Sequence, residues 1–311
     1  MSDLGPTTPQ NWYLLGPANS VRQGEVVSHT IAGHDLIVYR PDAATPLVAM
    51  AAHCAHMGCH LGRAEVRNGK LRCPLHYRLI DKDGRFAGNR DGGMRQRVFR
   101  LREYAGGLFV FLGEADAASD LDRLGLSGAA ICYAGEHRFD QPWQALVANG
   151  LDIEHLMSVH HRKLLATPEL DIIDNHELRL RYVTKPTATK WHDLLMARLA
   201  PNGINGVMRS IGGTMFLVET RLERRETFIL MSFLPQQGGG TLIRGLVGMK
   251  GEDSWFNRLS VRVARALFKA FLFKDLAVLE NMRWHEPSQI DGLGDEYTRA
   301  ACDFFRKLPS A

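Results

Sequence analysis

Two short Cys/His clusters constrain this chain more than anything else in it: Cys54–Ala55–His56 and, sixteen residues later, Cys73–Pro74–Leu75–His76. Each places a thiol and an imidazole on one loop, and both pairs can point at a single metal centre. Gly58 suits a tight ligand-bearing loop, and Pro74 suits the other. Zinc also takes Cys and His, but its ligands usually come as like pairs two to four residues apart. Here each pair is mixed and the first has a one-residue gap. A chance grouping in a His-rich loop is the bland alternative.

The flanking sequence reads as strands. Val26–His29 and Leu36–Tyr39 are β-rich runs joined by a turn at Ala32–Asp35. Glycine turns follow at Asn68–Gly69, Asp83–Gly84 and Gly106–Gly107, and Leu108–Leu112 looks like a buried strand. The first 115 residues or so are therefore expected to form a small all-β unit. Residues 114–130, rich in Ala, Asp and Ser, read as a linker. Beyond it Trp143–His160 can be helical. Residues 177–250 read as strands, with breaks at Gly203–Gly206, Gly212–Gly213 and Gly238–Gly240. Residues 255–283 carry a helical apolar pattern at Phe256, Leu259, Val263, Leu267, Ala270 and Phe271. The expectation is an α+β chain with domains at 1–120 (core about 12–115) and 121–311.

Composition narrows the class. The chain is 45% hydrophobic and 23% charged, with a net charge of +4, too small to argue for nucleic acid. No uninterrupted apolar run of about 18 residues is present, so no membrane span is expected. Leu267–Leu279 comes nearest and is broken by Lys269, Lys274 and Asp275. The N-terminal MSDLGPTTPQ has neither a basic nor an apolar segment, so a cytoplasmic location is expected. Five cysteines, an odd count, do not look like a disulfide framework.

Cys54–His76 resembles the C-x-H, C-x-x-H motif of Rieske proteins. That resemblance implies a [2Fe–2S] cluster held by Cys54 and Cys73 on one iron and His56 and His76 on the other. Neutral imidazoles in place of thiolates raise the reduction potential. Respiratory and photosynthetic members carry an extra cysteine in each loop, joined as a disulfide. Cys59 is present here but Leu75 stands at the second position, so that disulfide cannot form. The departure points to the soluble oxygenase and ferredoxin types. Cys59 is then a small packed residue near the cluster, and His53 and His60 are flanking groups rather than ligands.

Asn149–His160 resembles the N-x-x-D-x-x-H-x4-H motif of Rieske non-haem iron oxygenases. It implies His155 and His160 as ligands to a mononuclear Fe(II), completed by an acid on a C-terminal helix. Phe273–Asn281 resembles that helix, with Asp275 the first choice and Glu280 the substitute. Two His and one carboxylate leave open positions on iron for O2. Five residues span about 140° of a helix, so His155 and His160 share a face only if the helix distorts or ends between them. His161 is the adjacent alternative to His160. By the same resemblance Asp152 links His155 to the cluster residue His76 of a neighbouring chain, and Asn149 supports the site by hydrogen bonding. The second domain would be a helix-grip (START-like) fold, an antiparallel sheet wrapped around a long helix. Met208, Ile211, Phe216, Val218, Phe228 and Leu230 are expected walls of an apolar pocket.

The activity implied is that of a terminal oxygenase component that hydroxylates, or oxidatively demethylates, an apolar small organic molecule. Monooxygenation is favoured over dioxygenation. The alternative is a Rieske electron-transfer protein without oxygenase activity. No G-x-G-x-x-G follows a strand, so a separate NAD(P)H-dependent reductase, with or without a ferredoxin, is expected to supply electrons. Residues 60–103 carry twelve Lys/Arg against five Asp/Glu, a rim suited either to an acidic donor or to plain solvation. The resemblance also implies a homotrimer.

Overall fold

The computed structural model describes residues 7–88, 93–114, 121–187, 202–222, 225–251, 255–286 and 292–311. The N-terminal strands are β1 (Asn11–Pro17), β2 (Val26–Ile31), β3 (His34–Tyr39), β4 (Val48–Ala51), β5 (Glu65–Arg67), β6 (Lys70–Arg72), β7 (Leu79–Ile80), β8 (Val98–Phe99), β9 (Leu101–Tyr104) and β10 (Gly107–Leu112). They form three small antiparallel sheets, ordered β1-β10-β9, β2-β3-β4-β8 and β5-β6-β7. The turn between β2 and β3 is two residues, tighter than the four expected. Ala32 and Gly33 both take positive φ (48° and 83°), which matches the twist of the flanking strands.

β10 explains its own composition. All six residues of Gly107–Leu112 are buried. Leu108, Val110 and Leu112 face a core with Tyr13, Leu36 and Val38. Phe109 and Phe111 face the opposite way, onto Leu217, Leu230 and Leu246 of the second sheet. A strand covered on both faces has to be a continuous apolar run. The two halves of the chain thus meet through a close-packed core, in which each fully buried Leu or Phe contributes about 1.5–3 kcal/mol.

The second half is an eight-stranded antiparallel sheet. Its strands are β11 (Ala130–Phe139), β12 (Arg162–Leu164), β13 (Glu169–Ile173), β14 (Glu177–Pro186), β15 (Ile204–Ile211), β16 (Met215–Leu222), β17 (Arg225–Pro235) and β18 (Thr241–Met249). The order is β11-β18-β17-β16-β15-β14-β12, with β13 also pairing β14. Among the described residues four helices flank it: α1 (Trp143–Leu151), α2 (Ile153–Ser158), α3 (Trp255–Leu279) and α4 (Leu293–Arg306). This is the mostly antiparallel α+β arrangement expected.

Several local expectations change. Within 114–130, residues 115–120 lie outside the described ones. The remainder is no loose linker: Leu121, Leu124 and Leu126 are buried in the core between the halves, and Arg102 pairs with Asp122 at 2.6 Å. Gly206 is no break but lies inside β15, where a Cβ would stand 2.2 Å from the Tyr182 ring. On α3 the buried positions are Val261, Phe268 and Leu279, whereas Val263 is 57% exposed. The side chains of Phe256, Leu259, Leu267, Ala270 and Phe271 lie outside the described residues. A buried ion pair locks the sheet behind the linker. Arg209 donates to both Glu177 oxygens at 2.8 and 2.9 Å and to the Arg123 carbonyl at 3.2 Å. Burial opposes the Glu177 charge, but the hydrogen bonds and charges of Arg209 and Arg179 together outweigh it and hold its carboxyl below the usual range.

Candidate metal centres

The cluster loops are two copies of one backbone device. Cys54 N–H donates to the Cys59 carbonyl at 2.9 Å and Gly58 N–H returns to the Cys54 carbonyl at 2.8 Å. In the second loop Cys73 N–H donates to Arg78 O at 2.9 Å and Tyr77 N–H returns to Cys73 O at 2.9 Å. The fifth residue of each loop sits in the left-handed region: Gly58 at φ 72°, Tyr77 at φ 57°. Glycine meets that demand freely, while tyrosine carries a strain of about 1–2 kcal/mol. The Arg72 guanidinium lies 4.8 Å over the Tyr77 ring, an attraction of about 0.5–1 kcal/mol that offsets part of it.

These loops sort the four side chains by chemistry. Cys54 and Cys73 are buried, at 3% and 2% exposure, in one core. His56 and His76 lie further out, His56 half-buried and His76 exposed, with ring centroids 4.8 Å apart. Burial, joined by the neighbouring Cys73 sulfur, pushes the Cys54 thiol up. The thiolate form therefore calls for a bound cation. Two inner sulfurs and two outer imidazoles fit a [2Fe–2S] cluster with mixed ligands. Cys59 is a free, partly buried thiol against the same core. Leu75, Met57 and Tyr77 are exposed, at 50%, 67% and 64%. His53 and His60 stack edge-on on each other at 5.2 Å. His53 bonds Asp35 at 3.4 Å and the Gly58 carbonyl at 3.1 Å.

The second centre arises from a broken helix. Trp143–His160 is not one helix: Asp152 takes extended angles (φ −73°, ψ 107°) and caps α2, accepting from His155 N–H at 3.0 Å. Aspartate is among the best N-cap residues, because its carboxylate satisfies a first-turn amide. The helix ends at Ser158, so His160 lies beyond it. That resolves the spacing problem, since the helix stops between the two histidines. His161 then turns the chain at φ 52°, its carbonyl held by Thr187 N–H and Oγ1 at 2.9 and 2.8 Å. Its side chain is exposed, whereas His160 is buried.

Across the fold, α3 brings in Asp275. His155 Nε2 and His160 Nε2 lie 3.0 and 2.8 Å from one Asp275 oxygen. One donor atom from each of the three falls within 4.8 Å of the others. Burial opposes the Asp275 charge, but both histidines offset it and hold the carboxyl below its ordinary range. Two imidazoles and one carboxylate form a set that grips a divalent ion from one side and leaves the other positions open. Glu280 is exposed and outside this group. Asn149 contributes its carbonyl, which accepts from Asp152 N–H at 3.2 Å.

The surroundings are apolar. Leu151, Ile153 and Leu156 join a core with Met208 and Phe216, against which Met157, Val218 and Met231 are half-buried. Three of the expected wall residues belong elsewhere: Ile211, Phe228 and Leu230 point to the other face and pack on the N-terminal half. Strand alternation divides the set. A cleft of about 110 Å³ opens between β11, β18 and α3, lined by Ile243, Gly245, Phe268 and Leu272 among others. Leu272 precedes Asp275 by three residues, about 4.5 Å along the helix. One contact was not legible in the sequence. Gly294 in α4 lies so close to Asp152 that a Cβ there would stand 2.4 Å from its Oδ1.

Residues 11–97 match the Rieske [2Fe-2S] domain. The chain is 34% identical over 169 residues to a 3-ketosteroid-9-alpha-monooxygenase, oxygenase component, of Rhodococcus rhodochrous, covering 49% of this chain and 43% of that protein. It is 27% identical over 169 residues to cholesterol 7-desaturase nvd 1 of Ciona intestinalis, covering 51% and 36%. The matches thus span less than half the length of these relatives. In fold it resembles dicamba monooxygenase bound to dicamba, with a TM-score of 0.64, 16% identity and coverage of 96% and 97%. Residues 11–97 are thus a Rieske [2Fe-2S] domain, and the chain as a whole shares the two-part fold of dicamba monooxygenase, with a second triad that could hold a metal.

Proposed function

We propose that this chain is a terminal oxygenase component that hydroxylates, or oxidatively demethylates, an apolar small organic molecule by monooxygenation. The convergence of His155, His160 and Asp275 carries this reading. A simple electron carrier has no use for three ligand atoms gathered from segments 120 residues apart. Residues 1–120 would be the electron-entry domain and 121–311 the catalytic domain. Cys54, His56, Cys73 and His76 would hold the [2Fe–2S] cluster, and His155, His160 and Asp275 a mononuclear Fe(II). When bound, the cluster supplies single electrons and the Fe(II) supplies O2 activation. The relatives named for monooxygenation and desaturation support the oxidative class.

The chain's own residues have definite tasks in this reading. Met157, Val218, Met231 and Leu272 exclude water and favour an apolar guest. Asp152 fixes His155 through the α2 cap and offers its carboxylate as a link to His76 of a neighbouring subunit in a homotrimer. The exposed Met57, Leu75 and Tyr77 around the cluster histidines suit a docking surface for that neighbour and for the electron donor. Part of the nearby positive charge is already paired, as in Arg67 and Arg72 with Glu65. The donor would be a separate NAD(P)H-dependent reductase, with or without a ferredoxin, which places the reaction in the cytoplasm. Among the described residues no helix is long and apolar enough to cross a membrane.

A single-turnover experiment tests the proposal. Chemically reduced protein is mixed with a panel of apolar ketones and N- or O-methyl compounds under isotopically labelled O2. The expected result is labelled alcohol, or aldehyde from a lost methyl group, with Asp152→Asn keeping both metals but slowing cluster oxidation. Cluster oxidation without any oxidised organic product across the panel would favour the electron carrier.

A further inference from the structure

We infer that Gln96 is the positioning residue of the first cluster loop, its carboxamide fixing the direction in which Cys54 presents its sulfur. The inference rests on the assignment of Cys54 and His56 as cluster ligands. Gln96 is 2% exposed. Its Nε2 donates to the Ala51 carbonyl at 2.7 Å and to the His53 carbonyl at 2.9 Å, and its Oε1 accepts from Ala55 N–H at 2.8 Å. The His53 carbonyl belongs to the peptide plane entering Cys54, and the Ala55 N–H to the plane leaving it. One side chain therefore grips both planes that flank the Cys54 Cα. Those planes define its φ and ψ, and with them the Cα–Cβ direction.

The grip is rigid because Gln96 is itself mounted. Its N–H donates to the Gly84 carbonyl at 2.8 Å, and Ala51 N–H donates to Arg97 O at 2.9 Å. Gly84 has φ +76°, and a Cβ there would fall 2.2 Å from the Gln96 carbonyl oxygen, so glycine is what lets the segment approach. The carboxamide uses both its N–H groups and one acceptor site on this loop, which a buried amide needs in order to stay. Removing it would strand two carbonyls and one N–H beside the cysteine. Cluster potentials respond to sulfur orientation and to hydrogen bonding near the sulfurs.

The test compares Gln96→Met, of similar length without polar groups, and Gln96→Glu, which keeps an acceptor for Ala55 but loses both donors. Ile31→Val, in a different core of the same domain, serves as the packing control. On the full chain, EPR g-values of the reduced cluster, its midpoint potential and iron per chain are measured beside the melting temperature. The expected result is altered g-values with a shifted potential, or a fall in cluster content of about two-fold or more, in both Gln96 variants and not in Ile31→Val. Wild-type g-values and potential at full cluster content in Gln96→Met would overturn the inference. If Gln96→Met does not fold, the same unchanged readings in Gln96→Glu overturn it. A wild-type protein without a Rieske EPR signal would instead break the ligand assignment, so the two failures are separable.

Discussion

His155→Ala is expected to lower product formation by about 100-fold or more, while the EPR and visible spectra of the Rieske cluster stay as in the wild type. The size of the effect follows from the ligand count. His155 and His160 reach the same Asp275 oxygen at 3.0 and 2.8 Å. Without one imidazole, two donors remain, too few to hold a mononuclear ion from one side. The selectivity follows from location. His155 lies on α2, packed into the core of the second sheet, whereas Cys54 and Cys73 belong to a separate core with Leu61, Leu71 and Ile80. Folding should tolerate the change. The Asp152 cap binds the backbone N–H of residue 155, which alanine retains, and alanine is a stronger helix former than histidine. Iron analysis should show the loss of one iron per chain at an unchanged melting profile. Full turnover in this variant would refute the assignment.

Cys73→Ser is expected to remove the cluster almost entirely and with it all electron entry. Cys73 is 2% exposed and begins a loop closed by its own backbone pairs. A serine hydroxyl there is a harder, less acidic donor, and it places a polar group in a core of Ile37, Leu71 and Ile80 at about 1–3 kcal/mol if unsatisfied. The mononuclear site should still bind iron, because its ligands come from other elements. Cys59→Ser is the counterpart: that sulfur is partly buried and no proposed ligand, so the visible absorption of the cluster should persist. Loss of the cluster in Cys59→Ser with retention in Cys73→Ser would make Cys59 the ligand in place of Cys73.

Much of the fold was legible in the sequence, for reasons that the structure makes plain. The apolar run Leu108–Leu112 signalled a buried strand, and Gly58 a tight ligand-bearing loop, which the structure closes in the left-handed region. Tyr77 performs the same turn without any such signal, because an aromatic residue rarely takes that conformation. The helix break at Asp152 was readable in principle, as a good N-cap residue three positions before His155, but helical periodicity runs straight through it. The pocket residues divided between two faces because alternation along one strand does not tell which face meets which neighbour. Only the pairing of β15, β16 and β17 decides that Met208 and Val218 lie opposite to Ile211 and Leu230. Val263 faces solvent because α3 turns the Asp275 side toward the histidines, and Phe268, Leu272 and Leu279 share that stripe. Gln96 had no sequence signature at all, since its partners are backbone atoms of residues 51, 53 and 55.

Metal content of the purified, anaerobically reconstituted full chain decides between an oxygenase with two metal centres and an electron carrier with one. Iron and acid-labile sulfide are measured together on the same sample. Three irons and two sulfides per chain are expected, one iron being removable by chelation without bleaching the cluster. Two irons and two sulfides, with no further iron retained when Fe(II) is supplied, would contradict that expectation and leave an electron-transfer protein.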